Sequence, residues 1–513
     1  EREKIQNFGR PCCAELARPE RVAPMAGTRA AAVLALLVAL CAAWQVGGTA
    51  SPEPLNISAT RLELESGASP TLSTCEGCGK LHFLGCLSLT ASGENAYLFG
   101  GISGAYLHGS RLLFVSDATK FPDGEWGAGR FFEAELLTEP VKNLTGNGVS
   151  PPGLLRPVGL QHVYTQTLRD RFGHNLGKGD WIHGDTESLV VKWPSQAFIG
   201  IEQTHLLRHY AGFSLDEPAD QLDMGTPSVA GLQSPHSEHF HGLGAKLQGC
   251  KRDGGNNGAE GVTLLNGDKL FVLCEHNQPG EPDNQTIGWL ADAKTATIHG
   301  TFMVQLPRTH GHSGLFYRIS GLTELPGSSD LLILFHYWSK ETGNMIKIGR
   351  VPLDVDARSS EADPIHISPE ELLTLTGKDG YPLDNFETLV VAEVPEKKGA
   401  YVIHLLSDNN FNKEYQKTLI LSLLFEDVAA SHEATSPPPE EAGPAAEEKF
   451  QLSYRPVEEA RGRFAGTWPL MAAAVAASAI AVAGLGRFRR SGNDAELREE
   501  SGATQPILEE ERL

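Results

Sequence analysis

Between Leu81 and Glu426 the apolar residues come in short runs rather than along helical stripes. Arg111-Leu-Leu-Phe-Val115, Lys269-Leu-Phe-Val-Leu273 and Asp330-Leu-Leu-Ile-Leu-Phe335 are bounded by Gly, Asn, Asp or Pro. Runs of that length between turn-forming residues read as strands. Helical periodicity is scarce, and only Ser368–Leu375 is expected to form a short helix. The region therefore reads as all-β.

Alignment of the chain with itself adds a repeat. His183–Tyr210 and Asn256–Gln278 share one layout: a Glu, an apolar strand, a turn, a second apolar strand and another Glu. Glu187 and Glu202 lie fifteen residues apart, as do Glu260 and Glu275. A third copy has Glu387 first and Ser407-Asp408 near the second position, with a longer turn. Gly101–Phe121 ends its second strand in Ser116-Asp117, and Ile319–Trp338 carries Glu324 after a Gly-Leu pair. Strand–turn–strand copies recurring at roughly 60 to 75 residues predict the blades of a β-propeller. Five copies are visible. Six or seven blades are expected, the remainder coming from the stretches between copies.

Four motifs carry a family resemblance: DTESL at Asp185–Leu189, NNGAEG at Asn256–Gly261, NFETL at Asn385–Leu389 and LLSDNNFNKEYQKTLILSLLF at Leu405–Phe425. In this order they resemble the phytase-like family, described as having the esterase-like activity of phytase, over roughly Leu81–Phe425. The resemblance implies a phosphoester-cleaving activity carried by the repeated acidic residues. The chain departs from the pattern in its long segment between the second and third copies and in the polar insertion QSPHSEHFHG, which leaves the substrate open.

The flanks predict a membrane-tethered secretory protein. Residues 1–24 precede Met25 and read as upstream sequence. Residues 25–50 have a cationic start at Arg29, an apolar core from Ala30 to Trp44 and a small-residue exit, the layout of a signal peptide. Residues 51–80 form a Cys-containing lead-in to the propeller domain, 81–427. A Pro/Glu/Ala-rich stalk follows at 428–466. Residues 467–486 contain the uncharged run Trp468–Gly486, long enough for a transmembrane helix. Arg487, Arg489 and Arg490 then place the acidic tail, 487–513, in the cytoplasm, for a single-pass type I topology with the domain lumenal or extracellular.

A net charge of −21 excludes a nucleic-acid partner, whose phosphates require a basic face. The lumenal cysteines are Cys75, Cys78, Cys86, Cys250 and Cys274. A secreted chain favours pairing Cys250 with Cys274 and two of the first three, with one thiol left over. Asn56, Asn143 and Asn284 stand in glycosylation sequons.

If the copies superpose, Glu187, Glu260 and Glu387 converge at one height. In an acidic secreted protein such a set suits a hard divalent cation, Ca²⁺ first, which takes six to eight oxygen ligands. Glu187, Glu202, Glu260, Glu275, Glu387 and Asp117 are the candidate ligands, and Glu187, Glu260, Glu387 and Asp408 the candidate catalytic groups. Arg208, Lys251 and Arg252 are candidates to pair with a phosphate. Two other readings stand beside this one. The acids could fasten turns by accepting backbone N–H bonds, or the ectodomain could bind a glycan or protein without catalysis. Carboxylates facing one cavity favour the first reading, and carboxylates buried in separate turns the second. His236, His239 and His241, with His310 and His312, have zinc-ligand chemistry, but a spacing that suits loops. There is no GxSxG elbow for serine esterase chemistry.

Overall fold

The computed structural model describes residues 52–427 apart from 73–77, 143, 145–149, 171, 212–227, 230–242, 251–257, 277–283, 310–314, 355, 357 and 361. Contacts divide the chain into two compact units, Glu1–Pro437 and Pro438–Leu513, the second wholly outside the described residues. The expected signal peptide, stalk, transmembrane helix and tail all lie outside them. Among the described residues no helix is long and apolar enough to cross a membrane.

The strands run β1 (Glu53–Leu62), β2 (Thr71–Leu72) and β3 (Lys80–Ser92) before the first repeat. Blade one is β4 (Ile102–His108), β5 (Arg111–Ser116), β8 (Arg130–Pro140) and β9 (Leu155–Thr167). A ribbon of β6 (Thr119–Lys120) and β7 (Trp126–Gly127) lies in its β5–β8 connection. Blade two is β10 (Thr186–Lys192), β11 (Gln196–Ile201), β12 (Leu206–Ala211) and β13 (Ser228–Val229). Blade three is β14 (Gly261–Leu265), β15 (Lys269–Leu273), β16 (Gln285–Asp292) and β17 (Ile298–Gln305). Blade four is β18 (Arg318–Glu324), β19 (Asp330–Ser339), β20 (Gly343–Pro352) and β22 (Glu370–Thr376). Between them β21 (Ile365–Ile367) returns parallel to β17. Blade five is β23 (Asn385–Glu393), β24 (Ala400–Asp408), β25 (Thr418–Glu426) and, from the other end of the domain, β3.

The innermost strands β4, β10, β14, β18 and β23 each pack on the next, and β23 returns to β4. The ring is therefore closed and propeller-like, with five blades. Among the described residues the expected sixth and seventh blades do not occur: the five visible copies close the ring, and the stretches between them supply third and fourth strands. The predicted helix at Ser368–Leu375 is likewise corrected. Pairing with β20 holds Glu370–Thr376 as the strand β22, with Leu372, Leu373 and Leu375 buried. Closure is secured twice over. The early strand β3 completes the last blade, and β1 pairs with both β3 and β9, zipping the outer edges of blades five and one.

Apolar cores fill every gap between blades, because alternate residues of a strand face opposite neighbours. In β5, Leu113 and Val115 pack towards blade two and Leu112 and Phe114 towards blade five. In β19, Leu331, Ile333 and Phe335 face blade three and Leu332 and Leu334 face blade five. Burial on both faces is why these strands read as continuous apolar runs.

Five polar bonds tie the inner strands together, one at each gap. Ser103 Oγ donates to the Thr186 carbonyl (2.5 Å), Ser188 Oγ to Ala259 (3.2 Å) and Ser320 Oγ to Phe386 (3.1 Å). The Glu324 amide donates to Thr263 Oγ1 (3.2 Å) and the Ala105 amide to Thr388 Oγ1 (3.1 Å).

The packing predicts that Phe114→Ala, which removes a fully buried ring stacked 4.7 Å from Phe132, costs about 3–5 kcal/mol. Urea denaturation checks it. A loss below about 1 kcal/mol would mean that the gap between blades five and one is not packed as described.

Candidate metal centre

In each blade the inner strand begins with a one-residue irregularity against its partner. The register skips one residue at Ser103, Glu187, Ser320 and Glu387. In blade three, Ala259 and Glu260 together stand opposite Cys274, between the Gly261–Leu273 pair and the bond from the Glu275 amide to Gly258. A bulge re-aims its extra side chain. Here it produces the column Ser103, Glu187, Glu260, Ser320, Glu387. Each member is followed by a small residue, Gly104, Ser188, Gly261, Gly321 or Thr388, because inner strands nearly touch there. A Cβ on Gly104 would lie 2.4 Å from the Leu189 nitrogen, and one on Gly321 3.0 Å from the Glu387 carbonyl.

Two further columns flank the first. Two residues earlier stand Gly101, Asp185, Gly258, Arg318 and Asn385. Facing them at the ends of the second strands are Asp117, Glu202, Glu275, His336 and Asp408, placed by backbone bonds in blades one to three and by strand register in blades four and five. All lie at one end of the ring, where the inner strands start.

There the acids converge. Asp185, Glu187 and Glu202 each bring an oxygen to within 4.8 Å of the others, and Glu202, Glu260 and Glu275 do the same. Asp185, Glu202 and Asp408 are buried, while Asp117, Glu187, Glu260, Glu275 and Glu387 are partly exposed. Asp117, Glu187, Glu260 and Glu387 are held well above the ordinary carboxylate range, first by burial and then by repulsion from the other acids. Asp408 is pushed up to about 7, chiefly by burial, with Asp384 and Asp185 adding repulsion. Burial acts on Glu275 in the same sense. His276 and Arg318 outweigh it, and the Glu275 carboxyl falls below its usual range.

Turn fastening is also present. Asp408 Oδ1 accepts from the Asn410 amide (2.6 Å), and Asp185 Oδ1 from the Ala118 amide (3.2 Å). Gln203 Nε2 donates to Asp185 Oδ2 (3.1 Å) and Asn385 Nδ2 to Glu387 Oε1 (2.5 Å). These few donors leave the cluster short of positive charge, and Asp117 Oδ1 is buried with no hydrogen-bond partner. An all-oxygen donor set, several of whose members are raised by burial and by one another's charge, together with an orphaned oxygen, fits a hard divalent cation.

The structure thus brings together every acid singled out from the sequence: Glu187, Glu202, Glu260, Glu275, Glu387, Asp117 and Asp408. It adds Asp185, Arg318 and His336. The signal for Asp185 and Arg318 was in the sequence, as a triplet ending on the bulge residue: Gly101-Ile-Ser103, Asp185-Thr-Glu187, Gly258-Ala-Glu260, Arg318-Ile-Ser320 and Asn385-Phe-Glu387. Glu324 does not hold the first position of its copy; Ser320 does. Glu324 sits at the far end of β18 and accepts from the Asn266 amide (2.9 Å).

Arg208 lies in the third strand of its blade, buried, with its guanidinium bonded to Tyr210. Lys251, Arg252, Asn143 and the histidines at 236–241, 310 and 312 lie outside the described residues. Asn56 is exposed on β1, and Asn284 is half-buried at the start of β16. Cys250 is bonded to Cys274, Cys78 is also disulfide-bonded, and Cys86 is a free, buried thiol.

No curated protein matches the chain. Among solved structures it is similar to the catalytic domain of Coprinopsis cinerea GH62 alpha-L-arabinofuranosidase, at 7% identity and a TM-score of 0.32, covering 67% of this chain and 96% of that one. It is similar to the GH43 endo-arabinanase from Bacillus licheniformis at 10% identity and 0.30, covering 64% and 96%. A glucose dehydrogenase matches at 13% and 0.30, covering 71% and 99%. A family model described as "Phytase-like: Esterase-like activity of phytase" matches residues 98–411, from just before blade one to the SDNNF turn. With more than half of its length matched, the chain belongs to the phytase-like family.

Proposed function

We propose that this protein is a divalent-cation-assisted phosphoester hydrolase, with calcium as the ion. The observation that carries the reading is the convergence of Asp185, Glu187, Glu202, Glu260 and Glu275 into two overlapping oxygen groups that share Glu202. These five, with Glu387 and Asp117 beside them, would hold the cation. When bound, it supplies the chemistry of metal-assisted hydrolysis: it withdraws charge from a phosphoryl oxygen and acidifies a bound water. Asp408, whose pKa lies at about 7, exchanges a proton near neutral pH and is the general acid–base candidate. Gln203 and Asn385 orient the carboxylates they bond, and the bulges keep those carboxylates at one height. The reading includes a lumenal or extracellular domain tethered by a C-terminal helix, with glycans at Asn56, Asn143 and Asn284. The Cys250–Cys274 bond supports an oxidising compartment.

Folding is linked to protons at this site. The unfolded chain releases its carboxyl protons near pH 4, whereas the folded chain keeps those of Asp117, Glu187, Glu260, Glu387 and Asp408 to higher pH. Between those values the native state binds more protons, so its stability falls as pH rises. A cation that replaces the protons reverses the loss and releases them.

In chelator, the melting temperature is expected to fall between pH 5 and pH 8, and calcium is expected to raise it more at pH 8 than at pH 5. A melting temperature independent of pH and calcium would contradict the site. Calorimetric titration of the full chain should give calcium binding in the micromolar range, about 10⁻⁷–10⁻⁵ M. A Glu187→Ala, Glu260→Ala, Glu387→Ala variant should stay folded and lose it, together with any turnover of a phosphomonoester. If the wild type takes no calcium and the variant is merely less stable, the acids are turn fasteners, and a glycan or protein becomes the ligand to seek.

A further inference from the structure

The acid columns are interrupted in one sector. Blade four places Arg318, Ser320 and His336 where blade two places Asp185, Glu187 and Glu202. Ser320 is spent on the ring, donating to the Phe386 carbonyl. His336 Nε2 is paired with Asn344 Oδ1 at 3.2 Å. Arg318 is thus the one cation in the three columns, and its side chain is 57% exposed.

A structural role would be to neutralise Glu275, which Arg318 Nη1 meets at 3.2 Å. That role is a weak reason for an arginine here. Glu275 already has His276 Nε2 at 3.5 Å, and a half-exposed ion pair contributes little to stability. The guanidinium has five N–H donors in a rigid fork, so the single bond to Glu275 leaves donors open to an outside acceptor. Arginine suits a planar, two-pronged grip on an oxyanion, where lysine offers only a point charge. The position is also telling. Through Glu275, Arg318 borders the group Glu202, Glu260 and Glu275.

We propose that Arg318 is the phosphate-binding residue of this site, gripping an oxyanion whose other oxygens face the cation held by the acids; this rests on the metal reading above. A consequence distinguishes it from a general basic patch. Without a cation the acids, protonated or charged, offer a phosphate no attraction, and one guanidinium already bonded to Glu275 does not hold it. With a divalent cation in place the local charge is reduced, and Arg318 can act. Phosphate binding therefore requires both the cation and Arg318.

The test is calorimetry on the full chain at pH 7. Calcium is titrated first, then inorganic phosphate, below the solubility limit of calcium phosphate, with and without calcium. Wild type is compared with Arg318→Ala, Arg318→Lys and, as a control for charge removal elsewhere, Arg61→Ala, which faces Glu139 on the outer strands. Expected are phosphate binding by the wild type only with calcium, at least about tenfold weaker phosphate binding in Arg318→Ala, an intermediate value in Arg318→Lys, and no change in Arg61→Ala. Calcium binding should persist in every variant, with any change in Arg318→Ala towards tighter binding, since a competing cation beside Glu275 is removed. The lysine variant keeps a cation against Glu275, so it still reports should the alanine variant fold poorly. Undiminished phosphate binding in Arg318→Ala, or a wild type that takes calcium but no phosphate, overturns the role of Arg318 and leaves the metal site standing. Loss of calcium binding along with phosphate in Arg318→Ala makes Arg318 a structural partner of Glu275 and overturns it too. A wild type that takes no calcium removes both readings.

Discussion

The closeness of the five inner strands constrains everything else in this domain. At the bulge the backbones pass so near one another that Gly104 has no room for a Cβ and Gly321 only a tight fit, and the neighbours at this position are no larger than Ser or Thr. That approach lets hydroxyls and amides reach across every gap and lock the ring. It also turns the residue before each small one out of the strand pairing. The side chains so released are Glu187, Glu260 and Glu387, with serines in the two remaining blades. The acid cluster is therefore a product of how the ring closes, not an addition to a finished scaffold.

The cluster opposes the fold that builds it. Like charges this near one another destabilise the native state unless they are protonated or bind a cation. The opposing contribution comes from the apolar cores between the blades, which bury both faces of strands such as β5 and β19. Tension of this kind is characteristic of functional sites, where local stability is given up for a poised arrangement. Turn fastening alone does not account for it. Fastening satisfies a carboxylate with donors, as Asn410 does for Asp408, whereas Asp117 keeps a buried oxygen that no hydrogen bond among the described residues satisfies.

Much of this was legible in the sequence because a Glu beside a run of apolar residues is a sharp contrast. The Glu187–Glu202 and Glu260–Glu275 pairs and all five copies could be read from it. The number of blades could not, since outer strands share no signature: β9 has thirteen residues and β13 two. Nor could the fourth copy be read by charge. Glu324 looks like its first acid, but the bulge falls on Ser320, and only the offset from Gly101-Ile-Ser-Gly104 to Arg318-Ile-Ser-Gly321 reveals that. Asp185 and Arg318 escaped for the same reason. At Glu370–Thr376, three leucines close together mimic a helical face, and it is the neighbouring strand that decides for β22.

The seam of the ring connects closure with chemistry. Asn409, in the SDNNF turn, accepts the Gly101 amide through Oδ1 (3.2 Å) and the Phe411 amide (3.0 Å), fixing the turn after β24 to the start of blade one. Asn410 and Phe411 both adopt left-handed backbone there, and so does Gly101, where a Cβ would lie 2.0 Å from Asp117 Oδ1. The motif that marks the end of the repeats thus brings its own Asp408 up to Asp117, an acid on the other side of the seam, and the two repel one another. Those two acids meet only when the last blade has docked on the first, with β3 and β1 in place behind them. An unclosed ring would keep most of its blades and the Glu187, Glu202, Glu260 and Glu275 groups of blades two and three, yet lack this part of the site. Completion of the fold and assembly of the full acid cluster are therefore one event.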